Sequence, residues 1–181
     1  MSALSIIAHT RPSLIKRIFH PESRTLRFEG MYSVLLYSGH EPHVVTVDDK
    51  FLVDDSGEHA GARLLTNITT NEREIWPLIL EKAYAKFHGS YSAIEGGLVH
   101  VALEELTNGA GQSFRFRDAS VEEMYNTGEL WNRMLFWRRK NYLMGAGSPT
   151  GSDQTVSPMG IAQGHAYSVL DVATIDGHDL V

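Results

Sequence analysis

The strongest constraint on the fold is one amphipathic segment, Glu74 to Phe87. Its apolar residues recur about every 3.6 positions, which places them on one face of a helix. Pro77 suits the first helical turn, and Gly89 stands where a left-handed C-cap residue belongs. The pattern therefore predicts a helix with one face in the core and with Trp76 and Tyr84 buried or half-buried.

Upstream of this helix the apolar pattern changes to strict alternation. Tyr32 to Leu36 and Val44 to Val47 each alternate in the manner of a strand, and Gly39 to Pro42 between them carries turn residues. These segments predict a β-hairpin, so the fold class is α+β. The acidic pair Asp48-Asp49 follows the second strand, and we interpret it as a solvated strand end, because the glycine and terminal glutamate of a Ca²⁺ loop are missing.

Other segments give weaker signals of both kinds. Apolar periodicity and breaker residues predict further helices at Ser2 to Ala8, Leu14 to Phe19, Leu98 to Leu106 and Val121 to Asn141. The remaining signals predict a linker at Thr107 to Gly111, a short strand at Ser113 to Arg117 and a long exposed loop at Gly145 to Pro158.

Composition excludes several classes of protein. A formal charge of −6 disfavours a nucleic-acid surface. Apolar runs fall far short of the roughly 20 residues that a membrane span requires. The chain contains no cysteine, which rules out disulfides and thiolate zinc sites within it and favours an intracellular, cytoplasmic protein.

One histidine is placed where a catalytic base could be held rigidly. His165 follows Gly164 and opens an alternating segment, Ala166 to Val172, that predicts a strand. A strand with a glycine at its entry is a suitable mounting for a general base. A structural histidine hydrogen-bonded to a backbone carbonyl explains the same pattern, and spacing alone does not separate the two interpretations.

Three stretches together resemble the catalytic core of the calpain family of cysteine proteases. They are the helix segment Glu74-Ile-Trp-Pro-Leu-Ile-Leu-Glu-Lys-Ala-Tyr-Ala-Lys86, the pair Gly96-Gly97, and the strand segment Gly164-His-Ala-Tyr-Ser-Val169. The resemblance covers essentially the whole chain and is weakest from Ser113 to Ala162.

The resemblance implies a papain-like core of two subdomains with the active cleft between them. Residues 1–109 would form the mainly helical first half, and residues 110–181 would form the β-rich second half, with the hinge at Thr107 to Gly111. It also implies Ca²⁺ dependence, protein or peptide substrates, and flanking calpain domains in a longer protein.

The same resemblance assigns roles to individual residues. His165 would be the general base paired with the catalytic thiolate, and Gly97 and Gly164 would hydrogen-bond the extended substrate through their backbones. Glu74 would contribute to a Ca²⁺ site in the first half. A carboxylate in the first turn of a helix is equally well explained by the helix dipole.

Two family features have no counterpart in this chain. The family's nucleophile lies in an Asp-Cys-Trp motif directly before a segment that matches Met1-Ser-Ala-Leu4, and the asparagine that orients its histidine lies in an Asn-Pro-Trp motif that would follow Val181. Asp171 cannot replace that asparagine, since it is roughly 20 Å from His165 at about 3.3 Å per residue along a strand. We therefore expect an internal fragment that is inactive alone.

Two other interpretations compete with a protease fragment. A non-catalytic regulatory or binding module with a calpain-like fold would need no nucleophile. An unrelated α+β binding domain would make His165 a buried structural residue, but it would leave the joint match of the three stretches to chance.

Overall fold

Helices and short strand pairs alternate along the chain in the computed structural model, which describes residues 2–59, 61–62, 65–66, 73–152 and 154–181. The helices are α1 (Ser2–Thr10), α2 (Pro12–Ile18), α3 (Trp76–His88), α4 (Val99–Thr107), α5 (Ala119–Asn126) and α6 (Glu129–Arg139). The strands are β1 (Met31–Ser38), β2 (Glu41–Asp48), β3 (Leu65–Thr66), β4 (Arg73–Glu74), β5 (Met144–Gly147), β6 (Ala166–Val169), β7 (Ala173–Ile175) and β8 (His178–Leu180). The described strands pair two by two and antiparallel, each odd-numbered strand with the next. This mixture confirms the predicted α+β class.

The predicted hairpin is present, with a tighter turn than the sequence indicates. β1 and β2 pair in a register that sets Val34 opposite Val45, and only Gly39 and His40 connect them. Both turn residues have positive φ, +55° and +71°, as a two-residue turn that matches the twist of a hairpin requires. One face of the hairpin is buried and carries Tyr32, Val34, Leu36, Val45 and Val47.

α3 packs on both strands of this hairpin. Its buried residues are Pro77, Leu78, Ile79, Leu80, Ala83 and Ala85, while Trp76 and Tyr84 are half-buried as predicted. The helix ends at Gly89, whose φ of +95° confirms the expected left-handed cap. Apolar periodicity thus positions the core of this region.

Two predictions for the segment between α4 and β5 are wrong. Ser113 to Arg117 forms no strand. The helix predicted over Val121 to Asn141 is divided into α5 and α6, because Gly128 has a φ of +74° that a continuous helix does not allow.

The predicted loop from Gly145 to Pro158 begins instead as part of β5. This strand consists mainly of glycine and alanine, so it lacks the β-branched pattern of a typical strand. Gly145 explains the composition, because a Cβ there would lie 2.6 Å from Val99 and 3.2 Å from Ile6. Close packing around β5 requires a small residue at Gly145, and this is why the sequence does not predict a strand there.

The chain divides into two compact units. The first unit comprises Ser13–Gly97 and Glu104–Gly109, and the second comprises Ser2–Pro12, Leu98–Leu103 and Ala110–Val181. The first contains the hairpin and α3. The second contains α1 packed on β5 and β6, with buried side chains that include Ile6, Ile7, Leu130, Val169 and Val172. Within the described ranges no helix has the length and apolarity to cross a bilayer.

Candidate functional site

His165 lies directly before β6 with an exposed side chain, in the second unit. Its ring packs edge-on against Tyr167, with 5.0 Å between the ring centroids. Neither ring nitrogen is hydrogen-bonded to another described residue. The structure therefore contradicts a buried structural histidine and presents an imidazole whose nitrogens are open to a reacting partner.

The backbone of His165 is held by a single serine. The His165 N–H donates to Ser148 Oγ at 2.9 Å, and the His165 carbonyl oxygen accepts from the Ser148 N–H at 3.0 Å and from the Ser148 hydroxyl at 3.2 Å. Ser148 directly follows β5. The sequence does not predict this role, because Ser148 lies in a Ser-Pro-Thr-Gly run that indicates only a turn.

Gly164 is in close contact with another part of the backbone. Its φ is +59°, and a Cβ on this residue would lie 2.1 Å from the carbonyl oxygen of Gly151. The Gly164 N–H donates to the Pro149 carbonyl at 2.7 Å, whereas its own carbonyl accepts no backbone hydrogen bond from the described residues. Only the carbonyl of Gly164 thus remains for an external ligand.

The described residues of the segment that precedes Gly164 are largely exposed, as the composition predicts, and backbone hydrogen bonds link them to one another. The Gln163 N–H donates to the Thr155 carbonyl at 2.9 Å, and the Ser157 N–H donates to the Ile161 carbonyl at 2.8 Å. The Tyr167 hydroxyl accepts the Ala162 N–H at 2.9 Å, which ties this segment to β6. The chain segment that leads into His165 is therefore a hydrogen-bonded turn.

The first residue of α1 lies against the strand that carries His165. The Ser2 hydroxyl donates to the Ala166 carbonyl at 2.7 Å, and the Ser168 hydroxyl donates to the Ser2 carbonyl at 3.1 Å. Two hydrogen bonds between side chains and backbone thus fix the start of this helix beside the residue that follows His165.

The other two predicted site residues, Gly97 and Glu74, belong to the first unit. A Cβ on Gly97 would meet nothing within 4 Å. Glu74 lies in β4, two residues ahead of α3, so the prediction that it occupies the first turn of the helix is wrong and the helix dipole does not explain it. Its carboxylate accepts a 2.8 Å hydrogen bond from the Trp76 indole N–H.

The described residues do not by themselves fit a Ca²⁺ site. No three side chains from His, Cys, Asp and Glu converge in the described ranges, and a calcium ion takes about six to eight oxygen ligands. Asp48 and Asp54 instead serve the local structure. The Lys82 ammonium lowers the pKa of Asp48, and the Ser56 hydroxyl lowers the pKa of Asp54 through hydrogen bonds.

Asp171 is engaged by an arginine of α6. Arg138 donates to both carboxylate oxygens, at 2.6 and 3.2 Å, and this pairing lowers the pKa of Asp171. Asp171, which sequence spacing excludes as the group that orients His165, has a structural role through its pairing with Arg138.

Comparison with known proteins identifies a family and several relatives that this chain resembles in sequence. The family profile described as calpain family cysteine protease matches residues 1–180. The calpain-type cysteine protease ADL1 of Oryza sativa subsp. japonica is 45% identical over 153 residues, which are 84% of this chain and 7% of that protein. DEK1 of Arabidopsis thaliana, also a calpain-type cysteine protease, is 46% identical over 153 residues, again 84% of this chain and 7% of that protein.

A more distant relative matches more of the chain. Calpain-9 of Homo sapiens is 27% identical over 175 residues, which are 95% of this chain and 24% of that protein. The chain thus spans less than a tenth of the length of the plant relatives and about a quarter of the human one.

Proposed function

Since the chain belongs to the calpain family of cysteine proteases, we propose that it forms part of a calcium-dependent cysteine endopeptidase in which His165 is the general base. The observation that carries the proposal is the exposed imidazole of the Gly-His-Ala-Tyr segment at the entry of β6. Its ring nitrogens are accessible, while its backbone is held by Ser148 at 2.9 to 3.2 Å.

His165 would act at each proton transfer of peptide hydrolysis. The imidazole first takes the proton of a cysteine thiol, and the resulting thiolate attacks the substrate carbonyl to form an acyl-enzyme. The imidazolium then protonates the leaving amine, and the neutral ring activates the water that releases the acid product. Because this chain contains no cysteine, it supplies the base and a complete core must supply the nucleophile.

The contact between α1 and β6 supports the position that the resemblance gives to that nucleophile. The family's cysteine precedes a segment that matches Met1 to Leu4, and Ser2 is hydrogen-bonded to Ala166 at 2.7 Å. A cysteine ahead of α1 would therefore lie near the strand that carries His165.

Substrate binding is proposed through backbone groups. The free carbonyl of Gly164 can accept a hydrogen bond from the amide of an extended peptide, and the open space at Gly97 admits a peptide backbone close to the chain.

Division into a first half at 1–109 and a second half at 110–181, with papain-like architecture, belongs to the same proposal. So do a cytoplasmic location and flanking calpain domains.

Calcium enters the proposal only through Glu74, which would supply one ligand while the complete core supplies the others. No catalytic step described above depends on the ion. We expect weak binding by this chain, because one carboxylate gives one or two of the roughly six to eight oxygens that the ion takes. Calorimetric titration with Ca²⁺ tests this expectation, and sub-micromolar binding abolished by Glu74→Gln would contradict it.

Hydrolysis of a fluorogenic peptide tests the enzyme assignment. We compare this chain with a version that also carries the family's Asp-Cys-Trp and Asn-Pro-Trp segments, each with and without Ca²⁺. Turnover is expected only from the extended version with Ca²⁺, and His165→Ala should abolish it. Turnover by the chain alone, or by the extended His165→Ala variant, would overturn the assigned roles.

The absence of cysteine also supports a second candidate, a non-catalytic regulatory module with the same fold. The same assay separates the two candidates. A module predicts that the extended version stays inactive with both added segments in place, although it folds.

A further inference from the structure

We propose that Ser148 is a positioning residue for His165, acting through its side-chain hydroxyl. This inference rests on the proposed function, because it assigns Ser148 a role in the proton transfers of His165. The hydrogen bonds between Ser148 and the histidine all involve the histidine backbone.

The hydroxyl performs a task that a backbone carbonyl usually performs. In the register of β5 and β6, Gly147 pairs with Ala166, so the next pair outward is Ser148 with His165. A regular hydrogen-bonded antiparallel pair exchanges two backbone N–H···O bonds. Here one is present, from the Ser148 N–H to the His165 carbonyl at 3.0 Å, but the His165 N–H donates to Ser148 Oγ at 2.9 Å instead of to the Ser148 carbonyl.

The path of the chain after Ser148 explains why the hydroxyl, and not the backbone carbonyl, accepts the His165 N–H. Pro149 accepts the Gly164 N–H at 2.7 Å, and the backbone of Gly151 passes so close to Gly164 that no Cβ fits between them. The backbone therefore leaves the strand direction at the point where the pair with His165 should be completed. The Ser148 hydroxyl satisfies the donor that this departure leaves without a carbonyl.

The consequence for the imidazole is geometric. The N–H and C=O groups of His165 are both bonded to Ser148, which fixes the backbone and so the direction in which the side chain leaves it. The ring itself is exposed and is supported by Tyr167. A general base must be held within hydrogen-bond reach of its proton donor, so a loosened backbone at His165 would reduce the rate of proton transfer.

Amide hydrogen exchange in this chain tests the geometry without reference to catalysis. Ser148→Ala should make the His165 amide exchange roughly five- to tenfold faster, in line with the loss of one hydrogen bond. Ser148→Thr keeps the hydroxyl and should restore protection. Ser157→Ala is the matched control, because the Ser157 hydroxyl accepts the Ile161 N–H at 3.1 Å in the same segment and does not contact His165. Unchanged exchange of His165 in Ser148→Ala would overturn the proposal.

Steady-state kinetics of the extended, active version test the role in catalysis. Ser148→Ala should lower kcat about tenfold with little change in KM and should shift the acidic limb of the pH–kcat profile, while Ser148→Thr and Ser157→Ala should behave as the parent. A merely structural serine would leave the pH profile in place, and that result overturns the proposal. If His165→Ala keeps activity, the proposed function fails as well. If His165→Ala is inactive and Ser148→Ala equals the parent, only the positioning role fails.

Discussion

The hairpin with α3 and the segment around His165 are held in place by different forces. In the first, side chains such as Ile79 and Leu36 are completely excluded from solvent and apolar burial dominates. In the second, Gly164 and His165 are exposed, and hydrogen bonds from Ser148 and the contact with Gly151 define the backbone. The difference indicates that apolar burial stabilises the first region, whereas local hydrogen bonds fix the backbone of the proposed general base in the second.

The largest effect on stability is expected from a truncation in the first region. Ile79→Ala removes most of a side chain with 0% exposure, and we expect it to destabilise the fold by about 2–5 kcal/mol through lost burial and a residual cavity. Denaturant unfolding measures this effect. Phe28→Ala is the control, since Phe28 is fully exposed and its truncation should change little. Similar losses of unfolding free energy in Ile79→Ala and Phe28→Ala would contradict the claim that apolar burial stabilises the first region.

A smaller effect is expected from a methyl group in the second region. Gly164→Ala places a Cβ against the Gly151 carbonyl at φ +59°, so we expect a loss of about 2–3 kcal/mol from overlap and strain. Gly160→Ala is matched to it, because φ is +81° but nothing lies within 4 Å, and strain alone should cost about 1–2 kcal/mol. Thermal unfolding of both variants gives the difference. Equal losses would show that the Gly151 contact does not constrain the backbone.

A polar contact in the first unit sharpens the comparison through its pH dependence. Burial and the hydrogen bond that the Tyr84 hydroxyl donates to Glu105 raise the pKa of Tyr84 above its ordinary 10.0. A raised pKa means that the native state retains this proton, so the contribution to stability is complete below about pH 10 and is lost as pH rises further.

Tyr84→Phe should therefore cost about 1–2 kcal/mol at neutral pH and flatten the decline of stability above about pH 10. Urea unfolding at neutral and alkaline pH measures both effects. Tyr37→Phe serves as the control, being a half-buried tyrosine of β1. An alkaline decline of equal steepness in Tyr84→Phe and in the parent would contradict this account.

The smallest effect is expected at the exposed pair of Arg138 and Asp171. Arg138 holds the pKa of Asp171 below its ordinary 3.8, so the pair contributes stability above that pH and loses it as pH falls. Arg138→Met should raise the Asp171 pKa toward its ordinary value, with only a slight change in stability. Carboxyl titration by NMR measures this shift, and Arg139→Met is the neighbouring control. An unshifted Asp171 in Arg138→Met would show that the pair does not persist in solution.

The parts of the fold that the sequence predicts are those that depend on local apolar periodicity. The α3 helix and the hairpin follow from alternation and 3.6-residue spacing, because each buries one face. β5 escaped prediction because its Gly145 is selected by contact with Val99 and Ile6, residues distant in the sequence. No local pattern contains that information.

The same distinction applies to the candidate site. The position of His165 directly before β6 agrees with its pattern of a glycine followed by alternation, whereas the exposure of its side chain does not follow from that pattern. The role of Ser148 could not be predicted, since its bonds to His165 cross 17 residues and arise only when β5 and β6 pair. A serine next to a proline in a Gly-rich run indicates a turn and nothing more.

The central claim, that His165 generates a catalytic thiolate, is tested most directly by the pH dependence of thiol alkylation. In the extended version that carries the family's cysteine, iodoacetamide should alkylate that residue rapidly even near pH 6, because an adjacent imidazolium lowers the pKa of a thiol. His165→Ala should move the rate profile toward the ordinary thiol pKa of about 8.5, and His178→Ala should leave it unchanged. A profile that stays the same in His165→Ala would contradict the pairing of His165 with the nucleophile.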